Sequence, residues 1–382
     1  MAYYRFARSL QSLAAGGLLL AAISMLGATV AMAADDQSVL GTLHKHTTLV
    51  STVPDNGDQN PYAIFVAPIS AGAIQKDDVL VDNFNNNANL QGLGTTIVDY
   101  NPTSKKMFVF AQLPRHLPEC PGGVGLSTAM TMLKSGWVIV GSTPSEDGTT
   151  ATKGAGCLII LDSQGKIANV LAGSDINDPW GNMAVVDKGS TVTLFVSNAG
   201  FGVGPATDNS PIVNKATVLR ITLSIPEGKP PIVVSRTVVA EGLGEQADKA
   251  VFLIGPTGLG LGADDTLYVS DALANRVVAI ANASTRSDNA GTGREITKEG
   301  LLKRPLALCI AANGHLIVTN GLNGQVVEID PASGKQVGAR WFDADKAQTP
   351  PGNGDLFGIV ATPSGDGFYY VEDDMNTLVL AR

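Results

Sequence analysis

The chain is poor in the residues from which most catalytic centres are built. Its 382 residues include four histidines, His44, His46, His116 and His315, and three cysteines. No His-Glu-x-x-His pair and no nucleophile elbow occurs, so zinc-peptidase and serine-hydrolase chemistry have no carrier. Charged residues make up 16% of the chain, the net charge is −9, and lysines and arginines do not cluster. That balance excludes nucleic acid and anionic membrane as natural partners. Aromatics are scarce at 5%. Beyond the first thirty residues no stretch approaches 18 uninterrupted apolar positions, so no membrane anchor is expected.

What the chain has in abundance is glycine, 43 residues of it, which with so little charge suits a turn-rich sheet protein. It also has an N-terminal pattern of export. Arg5 and Arg8 precede an apolar run from Leu13 to Val30, which ends in the small-x-small sequence Ala31-Met32-Ala33. Residues 1–33 read as a secretory signal peptide, which predicts a periplasmic or secreted protein of residues 34–382. An oxidising compartment would allow Cys120 and Cys157 to pair, or they stay as thiols; Cys309, inside an apolar run, reads as a small buried hydrophobe.

The stretch from Pro256 to Ile280 reads as three short strands: Thr257–Gly262, then a turn at Ala263-Asp264-Asp265, then Thr266–Ser270, and Asn275–Ile280 after a second break. Such a meander cannot bury both faces alone, and it recurs. A Pro, a variable residue and a small residue open apolar runs at Pro61, Pro121, Pro179, Pro256 and Pro305, and Leu356-Phe357-Gly358 is a sixth copy without the Pro. Each is followed by a run ending in Val and a polar pair, such as Val81-Asp82-Asn83, Val196-Ser197-Asn198 and Val318-Thr319-Asn320. Four-strand units of this size are propeller blades. The expectation is an all-β, six-bladed β-propeller of four-stranded antiparallel blades near 61–113, 121–173, 179–241, 256–300, 305–343 and 356–382. The last blade is one strand short, and the orphan strand at 46–53 is predicted to complete it and close the ring.

The fourth unit resembles an NHL repeat, with Pro256-Thr257-Gly258, the turn at Asp264-Asp265, Leu267-Tyr268-Val269-Ser270-Asp271 and Asn275-Arg276-Val277. The other five units keep the opening and the Val-x-Asn/Asp step but lose the Asn-Arg pair. More distantly the chain resembles gluconolactonase-like and strictosidine-synthase-like propellers. The resemblance implies a six-bladed fold and leaves the chemistry open, because those relatives share a fold and not a reaction.

Loop lengths separate the two faces of the predicted disc. Turns such as 134–136, 263–265 and 312–314 are short. Excursions at 84–93, 114–122, 143–156, 199–215, 241–255 and 343–355 are long and all fall on the other face, which is therefore the expected working surface. Two sets of side chains are candidates there. The polar residues two places after each Val include Asn83, Asn198, Asp271, Asn320 and Asp373, with Ser142 as the weak member. They form a hard-oxygen set that would hold Ca²⁺ or Mg²⁺ at the channel mouth, or they cap turns through their own backbones. The variable residues of the openings include Tyr62, Trp180 and Phe357, which either stack a ligand at the channel mouth or pack between blades. Phe84, Phe201 and Trp341 lie in or beside long loops as exposed contacts, and His116 is the one histidine on that face.

Three functions remain. The first is an exported binding module, requiring no cofactor, for a small molecule, a peptide or an envelope protein. The second is a divalent-metal-dependent hydrolase or lactonase at the channel mouth, against which stands the lack of the inner-strand Glu that gluconolactonase-like enzymes use as a ligand. The third is a scaffold subunit of an envelope complex, anchored by Phe201 and Trp341.

Overall fold

The opening runs and the Val-ended runs are each other's partners. In the computed structural model, which describes residues 38–382, Pro61 pairs with Asn83, Pro256 with Asp271 and Pro305 with Asn320, all antiparallel. The signal peptide expected at 1–33 lies outside the described residues. The third residue of an opening is small because the next blade lies against it. A Cβ added to Gly181, Gly258 or Gly358 would sit within 3.0 Å of the carbonyl oxygen of Thr257, Leu306 or Tyr62 in the following blade.

Six antiparallel sheets result. The first blade is Gln59–Val66, Val79–Asn85, Thr96–Asn101 and Lys106–Gln112. The second is Leu126–Met132, Val138–Ser142, Cys157–Leu161 and Ile167–Leu171. Pro256–Leu261 opens the fourth, Pro305–Ile310 the fifth and Leu356–Ala361 the sixth. The sixth blade has three strands of its own, and His46–Ser51 pairs with Thr377–Ala381 as its outer strand. The inner strand of this last blade lies beside that of the first, so the ring closes into a six-bladed β-propeller. Cys120 and Cys157 form a disulfide across the second blade.

The third blade departs from the four-strand expectation. It has five strands: Ala184–Asp187, Thr191–Asn198, Val213–Ser224, Ile232–Asp248 and Phe252–Ile254. Residues 241–255, expected as a loop, continue the sheet instead. Leu243, Glu245 and Ala247 alternate toward the interior, Glu245 pairs with Val213, and Gln246 pairs with Ile254. The period-2 burial stabilises a strand where the sequence shows mostly glycine and charge. The inner strand is correspondingly short. Near its start the Gly181 N–H donates to the Ser197 hydroxyl at 2.9 Å and not to a ladder carbonyl.

Ser197 belongs to a set that crosses the seams between blades. Its hydroxyl donates to Pro256 O of the next blade at 2.7 Å, and Thr319 donates to Phe357 O at 3.0 Å. Ser270 donates to Leu306 O. In the second blade the position is Gly141, and Ser127 from the inner strand reaches Pro179 O at 2.6 Å instead. The first blade carries Asp82 there. One of its oxygens accepts the Ala63 N–H at 2.8 Å, as Ser197 accepts Gly181, while the other is buried without a partner.

Burial pushes Asp82 well above its ordinary value of 3.8. The folded chain thus keeps a proton that the unfolded chain has released, and the stability from that difference is full at acid pH and is lost as pH rises through the raised value. Burial acts in the same direction on Asp99 and Glu245, both pushed up to about 8. The melting temperature should therefore fall between about pH 5 and about pH 8. Asp82→Asn, which keeps an oxygen to accept the Ala63 N–H and removes one titration, should melt over a flatter pH profile. A wild-type melting temperature that climbs over this range would contradict the assignment.

Candidate ligand-binding face

The mouth of the channel on the long-loop face is filled by aromatic side chains. Tyr62 of the first blade stacks on Phe357 of the sixth at 3.9 Å and on Phe84 at 4.7 Å between ring centroids. Trp180 of the third blade meets Tyr62 edge-on at 5.9 Å and Phe84 at 5.6 Å. Blades one and three are not neighbours in the ring, so these contacts cross the axis. Phe252, on the hairpin that ends the third blade, closes over Phe84 at 5.6 Å, with Leu253 and Ile254 in the same cluster. From the opposite face the channel enters a cavity of about 260 Å³ whose wall includes Ile64, Met130, Met183, Leu259, Leu308 and Ile359, one from each blade.

The plug decides between the two readings of the opening aromatics and corrects the one for Phe84. Tyr62 and Phe357 pack between the adjacent first and sixth blades, Trp180 joins them across the axis, and the largest exposure among the three is 5%. Phe84, expected as an exposed contact, is fully buried because Phe252 covers it. Of the remaining loop candidates, Phe201 is half-buried and its N–H meets Glu245. Trp341 is 44% exposed at the end of the fifth blade's outer strand, and His116 is exposed. These three do not meet at one site.

The hard-oxygen set is dispersed as well. Asn198 accepts the Asn177 N–H at 3.1 Å, and Asn320 accepts the Lys303 N–H at 2.9 Å and donates to Leu301 O at 3.0 Å. Asn83 donates to Thr52 O at 2.9 Å. Each ties the segment that enters its own blade. Asp271 is paired with Arg276 at 2.9 Å. In the last blade the register equivalent is Glu372, opposite Leu356, and not Asp373, because Tyr370 takes the place of the Val. Three of these side chains are committed to separate linkers and Asp271 to an ion pair within its own blade.

What the long-loop face does hold is an off-axis cavity of about 430 Å³ to which loops of the first, second, third and last blades contribute. Its wall is a chain of amides. Asn60, with its amide oriented to satisfy both neighbours, donates to Asp373 and accepts from Asn85 Nδ2 at 3.0 Å. Asn85 in turn donates to Asn89 Oδ1 at 2.7 Å, and the Asn60 N–H donates to Asn376 Oδ1 at 2.6 Å. Asn60, Asn89 and Asn376 all have positive φ (67°, 58° and 53°), a conformation that asparagine tolerates better than other side chains and that turns these amides into the cavity. Burial, followed by the charge of Asp374, pushes Asp373 well above the usual carboxylate range. Lys249 and Gln91 form the far wall.

The wall stays in place because the loops are cross-pinned. Gln91 Nε2 donates to Ala250 O at 2.7 Å, joining the first blade's loop to the third blade's hairpin. The Arg115 guanidinium donates to Gly92 O at 3.1 Å, to Val124 O and to Ser145 O at 2.7 Å, so one side chain holds three excursions. Lys153 pairs with buried Asp178 at 2.7 Å, where burial still pushes the carboxyl up to about 6. None of Asn60, Asn89, Gln91, Arg115 or Asn376 stood out in the sequence, although Asn376 occupies the same turn position as Asn275 in the NHL-like blade.

No protein-family model and no curated protein matches the sequence. Solved structures match across most of the chain at low identity. A gluconolactonase from Xanthomonas campestris is 14% identical with a TM-score of 0.51, over 88% of each chain. The PQQ-bound aldose sugar dehydrogenase from Streptomyces coelicolor is also 14% identical with a TM-score of 0.51, over 88% of this chain and 97% of that one. A calcium-binding protein, regucalcin, from Agrobacterium tumefaciens is 11% identical with a TM-score of 0.50, over 87% and 93%. At these identities the similarity establishes the propeller fold.

The plug makes a direct prediction. Trp180→Ala and Phe84→Ala should each lose about 3–5 kcal/mol of unfolding free energy, as expected for a large aromatic removed from a closed core. Denaturant titration measures it, and a loss below about 1 kcal/mol would mean that the rings are not packed as described.

Proposed function

We propose that the chain is a ligand-binding propeller, and that the off-axis cavity takes a small hydroxyl-rich molecule of the size of a sugar or a sugar acid. The observation that carries this reading is the chain of amides that links Asp373 to Asn89 along the wall. Each amide offers a donor and an acceptor, which is the pattern that hydroxyl groups satisfy. No aromatic side chain lines the cavity, so recognition is polar. Its volume falls within the range of small-molecule sites, about 300–1,000 Å³. Lys249, whose ammonium also pairs with Asp208 at 2.7 Å, gives the wall one cation. The neighbours named as a gluconolactonase and an aldose sugar dehydrogenase handle sugar-derived molecules; in this chain the amide wall supports the same class of ligand on different ground.

An exported location fits this role. The N-terminal pattern supports it, and so does the Cys120–Cys157 disulfide, because such bonds persist in oxidising compartments. Among the described residues no helix is long and apolar enough to cross a membrane.

Calorimetric titration of the protein with monosaccharides, aldonic acids and their lactones tests the reading. One class should bind, and Asn89→Gly and Gln91→Ala should each weaken it at least about tenfold, the equivalent of about 1.4 kcal/mol. Binding that survives both substitutions, or no heat from any compound in the set, would overturn it.

A further inference from the structure

Beside the cavity, and separate from its amides, three carboxylates face one another. Asp343 follows the fifth blade, Asp355 precedes the sixth blade's inner strand, and Asp374 lies in the loop between that blade's second and third strands. Each offers an oxygen, and the three oxygens lie within 4.8 Å of one another. None of the three forms an ion pair with a described Lys, Arg or His. Their orientation leaves oxygens free at the centre. Asp343 Oδ1 accepts the Asp345 N–H at 2.7 Å while its Oδ2 is buried without a partner, and Asp374 Oδ1 accepts the Met375 N–H at 2.7 Å.

Two further oxygens point to a ligand. Asp355 is 5% exposed, and its Oδ2 meets no N–H donor and faces two other carboxyl groups. A carboxyl group so placed is costly to ionise unless a cation compensates it. Gln348, from the same excursion, sets its amide against Asp374, and its Oε1 is likewise buried and unpartnered. An amide oxygen gains nothing from carboxylate neighbours, but beside a cation it is one more ligand.

We propose that the excursion between the fifth and sixth blades is a calcium site, in which Asp343, Asp355 and Asp374 supply carboxylate oxygens and Gln348 an amide oxygen. Ca²⁺ takes six to eight oxygens in irregular geometry and accepts loop carboxylates and amide carbonyls together. Mg²⁺ demands a near-ideal octahedron and keeps its waters, so a loop-built set favours calcium. The site is distinct from the channel mouth and shares none of its residues. Since Asp374 also lines the cavity, the ion would hold that wall from behind. The inference stands whatever the cavity binds.

The test uses the full chain, freed of metal with a chelator, and Ca²⁺ alone as the probe. Calorimetry should show one site, and the melting temperature should rise with added Ca²⁺. Asp355→Asn should weaken Ca²⁺ at least tenfold and abolish the thermal response, while the metal-free variant melts no lower than the metal-free wild type because mutual repulsion has been relieved. Asp374→Asn, at an exposed position that folding tolerates, should weaken Ca²⁺ in the same way. No heat and no thermal shift with millimolar Ca²⁺ would overturn the proposal. So would undiminished binding in both variants, which would place the ion elsewhere, and a response to Mg²⁺ equal to that for Ca²⁺ would overturn the choice of metal.

Discussion

A side-chain donor spanning the seam between one blade and the next is the contact on which this ring depends. Sheets stacked face to face are joined by isolated backbone hydrogen bonds, such as Asn182 N–H to Thr257 O at 2.9 Å, and not by a ladder, so apolar packing would leave neighbouring blades some freedom to slide. Ser127, Ser197, Ser270 and Thr319 remove that freedom by reaching a carbonyl of the following inner strand. Their geometry demands close approach, which is why glycine stands at the third position of the openings at Gly181, Gly258 and Gly358. Asp82, at the same position in the first blade, instead accepts the Ala63 N–H of its own blade, and burial pushes its carboxyl up.

The close stacking of the inner strands also determines where a ligand can go. With Tyr62, Phe84, Trp180 and Phe357 meeting across the axis, and the third blade's hairpin laid over them, the mouth of the channel is core and not cleft. The hairpin does so because its strand keeps pairing as far as Asp248 before Phe252 turns back. Polar space is displaced off axis, to where loops of the first and last blades meet the tip of that hairpin. The residues that line it are therefore neither the axial ring nor the blade repeat.

That displacement explains what could be read in the sequence. Six openings, six Val-ended runs and one orphan strand were enough for the fold, since each is local and repeated. The polar pair after each Val was visible too, but the first member, Asp82, Ser197, Ser270 or Thr319, faces the neighbouring blade, while the second is absorbed by its own linker. Counting from Val371 led to Asp373, one residue beyond the register position, because Tyr370 sits where other blades place Val. The third blade's extension was hidden by its composition: Glu241-Gly242-Leu243-Gly244-Glu245 looks like loop and pairs as strand. Of the cavity only Asp373 stands out in the sequence, and for another role; the rest is assembled from single asparagines in turns of different blades, and an Asn in a turn is ordinary.

The closing strand has a consequence for how the molecule is made. His46 meets Tyr370 across 324 residues of chain, and the backbone of Lys45 exchanges hydrogen bonds with that of Arg382. The closing strand must therefore wait, with its edge exposed, for a partner synthesised at least 324 residues later. Such a long-range closure is slow to form and leaves a nearly finished ring with an open edge. Assembly has a natural checkpoint here: only when that final pairing has formed does the sixth blade reach the four strands that most of its neighbours have, with the N-terminal strand as its outer edge.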